Sequence, residues 1–212
     1  MHTSSPIRRD RSAAAAAPFV VPPAFVRLTG AFSLAAMLLF AATMVLPLWP
    51  WPEARGYGAI AAIGFQVSVA LQLIIVWRTN AVGSHPAWRA LVVVAAITAV
   101  AGATAEAVDN LTPSATTLTV ANATWFLLMA AMVVVGVGVV RSGEWRPPLR
   151  YLPLLAHSWP IVLMPATVLL GDDVAWPLYS GYLFLVQTLL AVTLLLRPDL
   201  TGARRARTET AG

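Results

Sequence analysis

The sequence predicts an all-helical polytopic membrane protein: a bundle of six transmembrane helices with both termini cytoplasmic and a proline-interrupted fifth helix. Three observations predict it. Over 212 residues, 58% are apolar and only 11% are charged, where a soluble domain carries about 25% charge. With a mean hydropathy of +0.74, the chain cannot cover itself for water. Second, it contains six apolar runs of the roughly 20 residues needed to cross a hydrocarbon core of about 30 Å. Third, the basic residues punctuate those runs instead of forming a patch interleaved with aromatics, which is the pattern of membrane topology and not of nucleic-acid binding.

Residues 1–24 read as a disordered cytoplasmic tail, polar and basic at first and then broken by Pro18, Pro22 and Pro23. The Arg8-Arg9 pair is followed by Asp10-Arg11-Ser12 where a twin-arginine signal has an apolar residue, so the next run is read as an uncleaved span. The transmembrane domain, 25–197, holds spans at about 28–48, 57–77, 88–108, 118–140, 151–170 and 176–196, and Glu106 falls in the last turn of the third. Residues 198–212 read as a basic cytoplasmic tail. All 14 basic residues are arginine, which together with the abundance of Ala, Val, Pro and Gly reads as codon bias in a GC-rich bacterial genome.

Arginine placement sets the expected orientation. Every arginine except Arg55 falls in the tails or in the loops on their side, so both termini are expected in the cytoplasm of a cell-membrane protein. Tryptophans and tyrosines mark both interfaces, among them Trp49, Trp51, Trp77, Trp88, Trp145 and Trp176. The segments Trp51-Pro52…Gly56-Tyr57 and Trp176-Pro177…Gly181-Tyr182 share a spacing at the outer start of a descending helix. The polar residues that follow do not align, which argues against duplication. In the third span Ala95, Ala99, Ala103 and Ala107 recur every four residues near Gly102. Small residues permit close helix approach, so this span is expected at the centre of the bundle, with Gly136 and Gly138 allowing the same in the fourth.

The fifth span contains what such runs usually exclude. Pro153, Pro160 and Pro165 interrupt it, and His157 and Ser158 lie inside it. Proline has no N–H to donate, so Pro160 frees the carbonyl of Ala156 and Pro165 that of Ile161, and in lipid those oxygens need other partners. Pro160 and Pro165 are therefore the expected helix-breaking residues. His157 lies about 10 Å from Arg150 on helical rise. An ionisable group at that depth is a functional candidate, and the plainer alternative is a neutral imidazole bonded to a backbone carbonyl.

Gln66, Gln72 and Gln187, with Ser68 and Asn122, form a second candidate set, expected to point inward. They either bond across helices, Gln66 with Gln187 at one depth, or line a polar cavity. Glu106, Asp109, Asp172 and Asp173 in the outer loops are a candidate divalent-cation group, but calcium-loop spacing is absent and solvated loops are the favoured reading. No metal or other cofactor is expected. With no cysteine, disulfides and thiolate chemistry are excluded. Ser158 and His157 are adjacent, about 100° apart on a helix, which does not suit a nucleophile–base pair.

These readings leave a small permease-like or ligand-binding bundle built on Gln66, Gln187 and His157, or a non-transporting regulatory or assembly subunit. A membrane enzyme ranks third. Expected partners are the lipid bilayer, anionic headgroups at the cytoplasmic arginines, and another membrane protein or a second copy of the chain; no nucleic-acid partner is expected.

Overall fold

Backbone that cannot reach water must close its hydrogen bonds within each segment, and helices do so. The computed structural model describes residues 21–45 and 54–203. The arginines before residue 21 and after 203, and Trp49 to Glu53, lie outside the described residues. Among the described residues are α1 (Pro23–Val45), α2 (Ala54–Arg78), α3 (Pro86–Leu111), α4 (Ala115–Ser142), α5 (Leu152–His157), α6 (Trp159–Leu170), α7 (Asp172–Leu196) and a 3-10 turn (Pro198–Thr201), with no strand. Among the described residues five helices are long and apolar enough to cross a membrane: α1, α2, α3, α4 and α7.

Local chemistry explains the boundaries, which overrun the apolar runs by a few residues. Pro23 and Pro86 open α1 and α3, where a missing N–H costs nothing. Pro23 and Ala24 thus belong to α1 and not to a tail. His85 caps α3 by accepting from the Ala87 N–H at 3.3 Å. A reciprocal box between Ser114 and Thr117 starts α4. At its other end Gly143 adopts φ 72°, and the Arg150 guanidinium donates to the Val140 carbonyl, from Nε at 2.8 Å.

The helices form a ring in chain order: α1 packs on α2, α2 on α3, α3 on α4, α4 on α5, and α5 and α6 on α7, which returns to α1. Phe65 of α2 reaches across the interior, its ring 6.1 Å from Phe40 of α1 and 5.2 Å from Trp125 of α4. The expectation that the alanine-striped third span sits at the centre is corrected. Half of the apolar window of α2 is buried, against 28% for α3. Ala95, Ala99 and Gly102 do face inward, but Val93, Val94, Ile97 and Val100 on the opposite side are exposed. A stripe of small residues shows which side of a helix packs; it does not show how many sides do.

One end of the bundle gathers Arg27, Arg78, Arg89, Arg141, Arg146, Arg150 and Arg197, and Arg55 starts α2 at the other. The 143–151 loop fastens the arginine-rich end. Trp145 donates its indole N–H to Thr79 Oγ1 at 2.9 Å, and Arg146 donates its backbone N–H to the Leu200 carbonyl, also at 2.9 Å. The 3-10 turn buries Pro198, Leu200 and Thr201, so the chain after α7, expected as tail, begins as packed structure. Arg197 bonds Asp199 at 3.2 Å and holds that exposed carboxyl below the usual carboxylate range.

Two close approaches of helix backbones depend on the absence of a side chain. A Cβ on Gly30 would lie 2.7 Å from the Ala191 carbonyl oxygen of α7, and one on Gly136 would lie 2.6 Å from Leu154 Cα of α5. Both obstacles are backbone and cannot move aside, so Gly30→Ala is expected to destabilise the fold by about 1–3 kcal/mol. Gly64→Ala, whose Cβ would meet Ala36 Cβ at an ordinary 3.6 Å, is expected to be neutral or slightly stabilising because it removes unfolded-state freedom. Unfolding of both variants in mixed detergent micelles checks the contrast.

Candidate functional site

The polar interior begins where α5 stops. Ser158 ends α5, and α6 starts with Trp159-Pro160, placing Pro160 in the first helical turn; Pro165 lies within α6. Ala156 has no donor four residues on, because residue 160 is proline. Its carbonyl instead receives Gln187 Nε2 from α7 at 3.3 Å. The neighbouring Leu155 carbonyl receives the Tyr182 hydroxyl at 2.9 Å and the Ser158 hydroxyl at 3.1 Å. Ser158 Oγ and Tyr182 Oη are themselves 3.2 Å apart. Thus two side chains of α7 supply donors to the carbonyls at the break.

His157 is fully buried in this cluster. Its Nδ1 lies 2.9 Å from the Pro153 carbonyl and its Nε2 lies 3.3 Å from Gln187 Nε2. A carbonyl can only accept, so Nδ1 carries the hydrogen and Nε2 is the acceptor of a neutral ring. The Gln187 amide then uses its two hydrogens on two acceptors, the Ala156 carbonyl and His157 Nε2. A proton on Nε2 would face the amide NH2, and turning the amide would put its oxygen against the Ala156 carbonyl. The arrangement therefore fits one protonation state.

The other sequence-chosen residues lie apart from this cluster. Gln72 donates to Ser33 Oγ of α1 at 3.2 Å, while Ser68 bonds back to the Phe65 carbonyl of its own helix at 2.7 Å. Gln66 is fully buried with no hydrogen-bond partner for Oε1 or Nε2. Its amide fills the space a Cβ on Gly102 would occupy. The expected Gln66–Gln187 pair does not form, because Gln66 points toward α3 and Gln187 toward α5. Asn122, expected to point inward, is exposed; it lies about 10 Å from the start of α4, where an amide can reach the interface.

Of the four acidic candidates, Glu106 and Asp109 are described in full, whereas the side chains of Asp172 and Asp173 lie outside the described residues. Asp109 accepts from the Thr117 hydroxyl, within the α3–α4 turn. Glu106 lies one turn earlier on α3, and Asp172 and Asp173 open α7. Among the described residues no group of three or more histidines and carboxylates is placed to hold a metal.

Sequence reasoning passed over Tyr182 and Ser33 as site residues. A count of donors would have found Tyr182, since a break with freed carbonyls requires donors from a neighbouring helix. Ser33, four residues after Thr29 on a mostly apolar helix, marks a buried polar stripe; both are buried. Trp159 packs edge-on to Tyr179 with ring centroids 4.4 Å apart, and its indole N–H has no partner.

Gln187→Leu is expected to cost about 1–3 kcal/mol, because it strands the Ala156 carbonyl and His157 Nε2 together. Tyr182→Phe is expected to cost less than about 1 kcal/mol, because Leu155 keeps its Ser158 donor. Unfolding of both variants in detergent tests this order, and 15N spectra of labelled histidine are expected to show His157 protonated at Nδ1 alone. No family model matches the chain, and no curated protein or solved structure shows significant similarity to it.

Proposed function

We propose that the chain is a non-transporting, membrane-embedded subunit that supports another membrane component and carries no catalytic step. In this reading it crosses the cytoplasmic membrane six times, with α5 and α6 jointly forming the fifth crossing. Residues 152–170 would rise about 28 Å as one continuous helix, close to the hydrocarbon thickness, whereas the 12 residues of α6 rise only about 18 Å. The gathering of arginines at one end supports a cytoplasmic placement for that end and for both termini.

The observation that carries the reading is the closed hydrogen-bond set at the α5–α6 break. A transporter uses broken-helix carbonyls and polar side chains to hold a solute. Here Tyr182 donates to the Leu155 carbonyl, Gln187 donates to the Ala156 carbonyl and to His157 Nε2, and His157 Nδ1 donates to the Pro153 carbonyl. Ser158 bonds the Leu155 carbonyl and Tyr182, which leaves it uncoupled from His157 and removes the natural nucleophile–base pair.

A second reading, a permease-like or ligand-binding bundle, is favoured most by Gln66, with the unmet indole N–H of Trp159 beside the break as a lesser case. The Gln66 amide is buried without a partner, and an unmet amide in a membrane interior is a place where a polar ligand would gain. The two readings differ in hydration. The chain has no cysteine, so single cysteines at Gln66 and Gln187, with Asn110→Cys as an exposed control, can be reacted with a membrane-impermeant thiol reagent in intact and inverted vesicles. The subunit reading expects labelling of the control alone. Labelling of Gln66→Cys at a comparable rate would overturn it in favour of the ligand-binding bundle.

A further inference from the structure

A groove runs along the outer surface between α2 and α3, enclosing about 550 Å3 and lined by Ile74, Trp77, Val93, Ala96, Ile97 and Val100 among others. Its α3 wall is a helical stripe, Val93, Ala96, Ile97 and Val100, and the residue one turn before that stripe is Arg89. From Arg89 to Val100 the helix rises about 16 Å, half the hydrocarbon thickness and hence the depth of one leaflet. The groove thus has the length of a single acyl chain lying along the bundle.

Its mouth is positively charged. The Arg89 guanidinium sits 5.2 Å from the centre of the Trp77 ring, and Nη1 donates to Asn80 Oδ1 at 2.9 Å. Asn80 is in the turn after α2 at φ 52°, so turn and guanidinium are fixed together. The exposed Arg78 follows Trp77 directly. Glu106 and Asp109 lie at the opposite end of α3; at the arginine-rich end Asp199 is engaged by Arg197, and Glu144 is exposed in the loop after α4, against seven arginines among the described residues. A second copy of the chain would bring the same arginines to the same level, which like charge disfavours.

We propose that this groove binds one anionic phospholipid, its acyl chain along Val93, Ala96, Ile97 and Val100 and its phosphate at Arg78 and Arg89. The site rests on the membrane reading above, in which the arginine-rich end faces a leaflet with anionic headgroups. Charge at the mouth selects the headgroup, and the apolar wall requires the chain.

The full-length protein in detergent, titrated with phosphatidylglycerol or phosphatidylcholine and read by native mass spectrometry, tests it. One preferred phosphatidylglycerol adduct is expected. The Arg78→Gln/Arg89→Gln double variant should weaken it by about fivefold per arginine. Val93→Phe, at an exposed position that keeps both charges, should weaken it as well. Arg141→Gln/Arg146→Gln, away from the groove, should change it less than twofold. Equal losses in the two arginine pairs, full affinity in Val93→Phe, equal binding of phosphatidylcholine, or displacement by glycerol phosphate without chains would each overturn the proposal. So would a protein dimer abolished by Val93→Phe. The experiment reads neither hydration nor orientation, so its outcome is independent of the cysteine labelling.

Discussion

Peptide carbonyls in a hydrocarbon environment need donors from within the protein, and the carbonyls of Leu155 and Ala156 set the terms for much of this structure. Ending a helix at Ser158 leaves the Ala156 carbonyl without an in-helix donor, and α7 must lie close enough, and in the right register, for Gln187 to reach it, while Tyr182 adds to the donors that Ser158 gives Leu155. That requirement ties α5 to α7. Because α7 also packs against α1 at the bare backbone of Gly30, the same register closes the ring. His157 is part of this arrangement: its Nε2 takes the second hydrogen of Gln187, and its Nδ1 hydrogen goes to Pro153.

The two faces of α3 show how a bundle divides its surface between protein and surroundings. Its small residues bring α2 close, and the Gln66 amide occupies the room left by Gly102. Its β-branched residues face outward beside Ile74 and leave an apolar groove. An exposed apolar face is ordinary for a helix in lipid, so exposure alone gives that groove no meaning. The arginines aligned with it distinguish it, because they place charge at one end of an apolar path one leaflet deep. At that same end, the loop carrying Trp145 joins the ends of α2 and α4 to the 3-10 turn.

Parts of this were legible in the sequence because they depend on residues near one another in the chain. Helical character and the approximate extent of each apolar segment follow from composition and run length. The lack of an in-helix donor for the Ala156 carbonyl follows from Pro160 four residues on, and a backbone carbonyl as partner of the His157 ring is one of the two readings the sequence allows. The inward side of α3 followed from its alanine spacing, but its peripheral place did not. A four-residue stripe reports contact on one side and carries no information about the other.

Tertiary structure decided which distant polar groups meet. Gln66 and Gln187 lie at similar depth on separate helices, and only the order of the ring turns one toward α3 and the other toward α5. Gln72 meets Ser33 for the same reason, across 39 positions in the chain. The packing of Pro198, Leu200 and Thr201 against the bundle depends on where α1 and α7 come together. The sequence by itself determined a helical, apolar chain with a break that needed donors. The fold determined that those donors are Tyr182 and Gln187, because helix rotation and neighbour order are set by side-chain packing across the whole ring and by no local run of residues.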